Sequence, residues 1–216
     1  QARDGAGGGI GLAVAAAETQ GKAISCKAGC GACCRQMVPV SEAEAFDLRD
    51  VVGQMPETRR LEIERRFTEG MKTLSDAGFF SRLAKAAASE DRTDYSRAIA
   101  EYFSFFIENE SCSIHEHRPV ACREYFVTSP AEHCRTGDGD QIENVHFLFR
   151  VKDSLISVAR RNRPPELPFV PMIQVLEWTE NRTDTSPERS GGDWMRTFLG
   201  ELVEIGRIAN PELFQK

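Results

Sequence analysis

"CKAGCGACC", Cys26 to Cys34, places four thiols within nine residues, two of them adjacent. The chain holds seven cysteines in 216 residues. A fully oxidised secreted monomer does not leave an odd number, and a chain of this length buries enough core to fold without disulfides. A lone cysteine usually serves as a small buried hydrophobe. Four at this density point instead to metal or redox chemistry. On a helix, steps of four, three and one would set Cys26, Cys30, Cys33 and Cys34 along one face. Between them, Gly29, Gly31 and Ala32 leave room for an inorganic guest and let backbone amides approach its sulfurs.

The remaining thiols, Cys112, Cys122 and Cys134, lie in "SCSIHEHRPVACREYFVTSPAEHC", and all four histidines fall in or just beyond that stretch. A single site therefore requires two distant segments to meet. His115 and His117 read as solvated loop residues and His146 as a core residue. A thiolate centre is anionic and draws cationic donors around it. Lys27, Arg35, Arg118 and Arg123 each lie beside or near a cysteine, and Pro119 holds Arg118 extended.

Two chemistries use such thiols. Structural zinc takes four Cys or His ligands, and an iron–sulfur cluster, foremost 4Fe-4S, takes four thiolates at spacings as compact as C-x3-C-x2-C. The spacing leans toward iron–sulfur. Seven thiols exceed one four-ligand zinc site; two zinc sites, or a binuclear one, would use them if histidines filled the gaps. All seven cysteines are candidate ligands, with Cys26, Cys30, Cys33 and Cys122 foremost.

The composition bounds the partners. A formal net charge of -6 gives no basic field to draw the chain onto nucleic acid or an anionic membrane. No apolar run approaches a bilayer span, so a cytoplasmic location is expected. A protein partner or protein substrate stays open. "GAGGGIG" near the start has no preceding strand and no following Gly-Lys-Ser/Thr, so it is not a phosphate loop.

Beyond the first cysteines the pattern is helical. Ser41 and Glu44 form a capping box opening "SEAEAFDLRDVVGQM". Pro56 suits the first turn of "PETRRLEIERRFTEGMKTL", whose buried stripe is Leu61, Ile63, Phe67, Met71 and Leu74. Asp94 suits the cap of "YSRAIAEYFSFFI", and "SPAEHC" repeats the cap chemistry with Ser129 and Glu132. Further helices are predicted from Ile142 to about Arg160, Pro171 to Trp178, and Asp193 to about Ile208. No alternating run supports a substantial sheet. The expected fold is mainly α, a single helical domain stapled by a cysteine-ligated metal or iron–sulfur site. Residues 1–22 form a flexible arm and short helix, 23–140 the cysteine-cluster domain, and 141–216 a helical extension packed on the same core.

Taken together, "CKAGCGACC", then "CSIHEHRPVACREY", then Cys134 resemble the YkgJ-type cysteine-cluster proteins, a zinc- or iron-chelating domain family, over roughly residues 24–135. The resemblance implies a metal or iron–sulfur centre and no particular reaction. Arg35, Arg118, Arg123, Ser104 and His115 are candidates for the shell around it. Two of these depart from the family pattern: Ser104 in "SFFI" stands where a "CPFL"-like stretch carries cysteine, and His115 where an aromatic commonly follows C-x-I. A related branch includes flagellin lysine N-methylase, which similarly carries the cluster and uses S-adenosylmethionine. It implies a second reading, a methyltransferase-like or redox enzyme in which Ser104 leaves a coordination position open to substrate. The sequence shows no methyl-donor fingerprint, and a Rossmann domain would need strands it lacks. A zinc adaptor without catalysis is the third reading.

Overall fold

The computed structural model describes residues 2–27, 29–88, 107–108, 111–112, 114–136, 139–160, 167–180, 182–184 and 187–214. Helices dominate them: α1 (Ala2–Thr19), α2 (Glu42–Gly53), α3 (Glu57–Asp76), α4 (Phe79–Ala88), α5 (Val120–Arg123), α6 (His133–Thr136), α7 (Val151–Arg160), α8 (Val175–Glu180) and α9 (Gly191–Ala209). Among the described residues the strands form two antiparallel pairs of two residues each, β1 (Pro39–Val40) with β4 (Val170–Pro171), and β2 (Ile107–Glu108) with β3 (Ser111–Cys112), and Val127 and Asn144 make an isolated antiparallel bridge. The fold class is mainly α, as expected. Among the described residues no helix is long and apolar enough to cross a membrane.

The capping box forms at the start of α2: Ser41 Oγ accepts from Glu44 N, and Glu44 Oε2 accepts from Ser41 N at 3.0 Å. In α3, Ile63, Phe67 and Leu74 are buried on one stripe, with Met71 packed against the core beside them. Leu61, expected on that stripe, is 54% exposed. It stands two positions from Ile63, about 200° around the helix, so the buried face excludes it. The opposite face carries an ion-pair ladder in which Arg65 bridges Glu62 and Glu69.

The main core gathers Val40, Ala45, Leu48, Ile63, Phe67 and Phe79 from the first half of the chain with Val170, Ile173 and Val175 from the second. Pairing of β1 with β4 joins the halves, and Met172 N donates to Val38 O at 2.9 Å. Phe46 of α2 meets Trp178 of α8 edge-on, with ring centroids 5.7 Å apart. At the C-terminal end, α9 packs on α7, where Ser157 Oγ donates to Glu201 Oε2 at 2.5 Å. Buried Asn210 closes α9 by donating from Nδ2 to Leu148 O at 3.0 Å.

Several element boundaries differ from the sequence expectation. Helix α1 takes Ala2–Thr19, where an arm leading into a short helix was expected. The helix expected from Ile142 begins only at Val151. Before it the chain is tied to residues 126–128, with Val145 N donating to Phe126 O at 2.8 Å and Thr128 N to Glu143 O at 2.9 Å. That extended geometry turns Val145 and Phe147 inward and leaves His146 exposed, so His146 is not a core residue. In "SPAEHC" only His133 and Cys134 are helical, as the start of α6, and Ser129 Oγ accepts from Glu143 N at 3.1 Å instead of capping. A 3-10 turn, Met172–Gln174, precedes α8 where helix was expected from Pro171. Ser190 caps α9, accepting from Asp193 N, so the helix starts two residues before Asp193. Of the helix expected after Asp94, residues 95–106 lie outside the described residues, and its last residue, Ile107, is in β2 instead.

Candidate metal centre

The first cysteine segment is not a helix. Ser25 N donates to Val127 O at 2.9 Å, which lays the chain beside residue 127 and lets Val127 N donate to Cys26 Sγ at 3.4 Å. Gly29 then turns the backbone at φ 81°, a conformation that strains any L side chain. Only after it does a short 3-10 helix, Ala32–Arg35, carry Cys33 and Cys34. The expected helical face of four thiols is therefore replaced by a loop bearing Cys26 and Cys30 and a tight turn bearing the adjacent pair. Gln36 ties this turn to α6, its Nε2 donating to Cys134 O at 3.2 Å.

In the second segment, Cys112 closes β3, and a 3-10 turn, His115–His117, leads to Arg118 in extended geometry (φ -58°, ψ 139°), as its place before proline requires. Helix α5 then presents Cys122. Carboxylates hold both of its ends. Glu44 Oε1 accepts from Val120 N at 2.8 Å, while Glu124, just past the helix, accepts from Val151 N and Lys152 N at 2.7 and 3.0 Å and so caps α7. Cys134 comes from α6.

The fold brings all seven cysteines into one neighbourhood, and all are free thiols. Cys26, Cys30 and Cys33 pack with buried Cys134 around Ala32 and Val127. Cys112 and Cys122 pack against the main core. The Cys34 thiol is hydrogen-bonded to Cys112 and to Cys33. Those hydrogen bonds hold the Cys112 thiol down to about 7 and lower Cys33, while Cys34 itself is pushed up. Burial raises Cys26, lifts Cys134 to about 11, and pushes Cys122 higher still. Arg118 opposes the negative charge at Cys26, Cys33, Cys112 and Cys122 alike.

Among the other expected residues, Arg123 braces the turn before α5, donating from Nε to Arg118 O and from Nη2 to Glu116 O. Arg35 ends the 3-10 helix directly after Cys34. His115 and His117 are exposed, and His133 Nδ1 lies 2.8 Å from Gln141 O. Ser104 lies outside the described residues. Sequence reading missed Tyr125, hydrogen-bonded to Gln36 and to the Cys134 thiol. It also missed the second duty of Glu44. The motif "CREY" contains Tyr125, but nothing local marks its partner on another segment.

Among the described residues, no three His, Cys, Asp or Glu side chains stand at metal-holding geometry. In kind, however, the donor set fits a thiophilic metal. Seven free thiols converge from two segments, and the buried Arg118 Nε has no hydrogen-bond partner among the described residues. The Val127 amide already donates to a sulfur. Such donors are what an anionic thiolate centre requires around it.

No curated protein and no solved structure matches the chain. A family model, CxxCxxCC, described as "Putative zinc- or iron-chelating domain", matches residues 25–135, a span that begins just before Cys26 and ends just after Cys134. Fold, thiols and matched span agree: the chain belongs to the CxxCxxCC family of zinc- or iron-chelating domains.

Proposed function

We propose that the chain holds a thiolate-ligated metal centre, iron–sulfur or zinc, with ligands drawn from Cys26, Cys30, Cys33, Cys34, Cys112, Cys122 and Cys134. The observation supporting it is the meeting of seven free thiols from two distant segments beside Arg118. Thiolates are soft ligands suited to zinc and to iron–sulfur clusters. When bound, the metal supplies a crosslink between the 26–34 segment and the 112–134 segment. Because no such site persists in an unfolded chain, its binding free energy is largely folding free energy. Arg118 offsets the charge of the thiolates, the Val127 amide and the Tyr125 hydroxyl donate to sulfur, and Arg123 keeps the Arg118 turn in shape. The proposal assigns no reaction, since the open coordination position that favoured catalysis rests on Ser104 alone.

Anaerobic purification followed by a visible spectrum and metal analysis of one sample tests this. A broad band near ~400 nm with iron and acid-labile sulfide identifies an iron–sulfur cluster. A colourless protein with stoichiometric zinc makes the centre a structural clasp. Protein that retains no iron or zinc, and takes up neither on anaerobic reconstitution, refutes the proposal.

A further inference from the structure

Helix α9 buries Glu201 and Gly206 where it packs toward α7 and residues 148–149. Its remaining surface is not simply polar. Met195, Leu199 and Val203 are 52, 48 and 43% exposed and stand four residues apart, so they form one ridge spanning about 80° of the helix. Phe149 and Leu148, both exposed, extend this apolar surface at its C-terminal end. The Phe149 ring lies against Gly206 so closely that a Cβ there would meet it at 2.7 Å. A continuous exposed ridge of this kind marks an interaction surface, as single scattered apolar residues do not.

The charges beside the ridge identify what fits it. Asp193, Arg196, Glu204 and Arg207 occupy the adjoining exposed strip, in the order minus, plus, minus, plus, around exposed Gly200. Within the helix they pair as Arg196–Asp193 and Arg207–Glu204 at 2.6 and 3.5 Å, and all four side chains stay more than half exposed, open to a second partner. Turned end for end about Gly200, the strip is its own complement. Position 193 then meets 207 and position 196 meets 204, so each acid lies opposite an arginine, whereas in a parallel arrangement like meets like. We propose that α9 is the contact of a homodimer, in which two copies pair antiparallel across this face. Leu199 meets Leu199 beside the twofold axis, Met195 lies over Val203 of the other copy, and Asp193 and Arg196 stand opposite its Arg207 and Glu204. The contact is isologous, so each favourable pair occurs twice. Gly200, with nothing within 4 Å of where a Cβ would stand, leaves room for the second helix at the crossing. The strip is balanced in charge, so a strongly acidic or basic partner gains nothing from it. No cysteine lies on α9, and the dimer is independent of the metal-centre reading.

The test is sedimentation velocity on the full chain with a reductant present, so that disulfide-linked copies do not contribute. A one-helix contact lies at the small end of interface sizes, and a monomer–dimer equilibrium in the micromolar range is expected. Leu199→Asp changes an exposed residue, should leave the circular dichroism unchanged, and should weaken the dimer at least about 10-fold by placing two carboxylates beside the axis. Arg196→Glu and Glu204→Arg should each weaken it when alone, by setting like charges opposite. An equimolar mixture of these two variants should recover most of the unmodified affinity, because the mixed pair restores both contacts. A chain that stays monomeric at about 100 μM overturns the proposal. So does a dimer that Leu199→Asp leaves unchanged, which would lie on another face. A dimer weakened by Leu199→Asp whose two charge variants fail to rescue each other overturns the antiparallel pairing.

Discussion

Replacing Glu44 with alanine tests how the second cysteine segment is joined to α2 in the absence of any metal. Its carboxylate accepts from Ser41 N at 3.0 Å and Ser41 Oγ at 2.9 Å on its own helix, and from Val120 N at 2.8 Å, 76 residues away. Ser41 is 2% exposed and Val120 1%, so water does not readily replace the lost acceptor. Each orphaned buried amide costs about 1–3 kcal/mol. With two amides affected, Glu44→Ala should lose about 2–6 kcal/mol. In a chain of this size that lowers Tm by about 4–24 °C, taking about 2–4 °C per kcal/mol. Ser41→Ala removes the acceptor for Glu44 N and the Ser41 Oγ donor to Glu44 Oε2, leaves the Glu44–Val120 hydrogen bond in place, and should cost about 1 kcal/mol. Thermal melts followed by circular dichroism, run on both variants, give the long-range tie together with the Ser41 N hydrogen bond as the difference between them. If Glu44→Ala costs no more than Ser41→Ala, the Glu44–Val120 hydrogen bond contributes nothing and the reasoning fails.

Other predictions concern the core and the centre. Ile63→Ala should destabilise by about 2–5 kcal/mol because it empties a fully buried position, whereas Leu61→Ala should stay within about 0.5 kcal/mol; equal losses in urea unfolding would place both on the buried stripe. Metal uptake should release protons, because burial keeps the Cys26, Cys122 and Cys134 thiols protonated at neutral pH in the metal-free chain. Affinity should therefore rise with pH, and more steeply below about 7, where Cys112 also carries a proton. Calorimetry in buffers of different ionisation enthalpy measures this, and a pH-independent affinity between pH 6 and 8 would contradict it. Tyr125→Phe removes the hydroxyl shared by Gln36 and Cys134 and should weaken metal retention about 10-fold; unchanged retention in a chelator competition would mean the hydroxyl does not serve the centre.

The sequence by itself determined the helical class, the α2 cap and the identity of the thiols. These are local facts: a Ser and a Glu three residues apart cap a helix wherever they fall, and free cysteines at such density declare their chemistry through composition. It also foresaw that Arg118 would be extended, because the constraint comes from the adjacent proline. Periodicity misled where an apolar residue stood across the helix from the buried face, as with Leu61, or where an apolar run paired with distant backbone, as with residues 142–150.

Only the tertiary structure decided how the thiols are divided. Spacing suggested one helical face of four, but Gly29 at positive φ and the 3-10 turn separate Cys26 and Cys30 from the Cys33–Cys34 pair. Cys134 packs with Cys26, Cys30 and Cys33, whereas Cys112 and Cys122 pack against the main core. The second duty of Glu44, and that of Glu124 at the start of α7, were equally hidden. The reason is physical: a carboxylate or a thiol is written in the sequence, but its hydrogen-bond partner is set by which backbone amides and sulfurs the packed core leaves within about 3 Å of it.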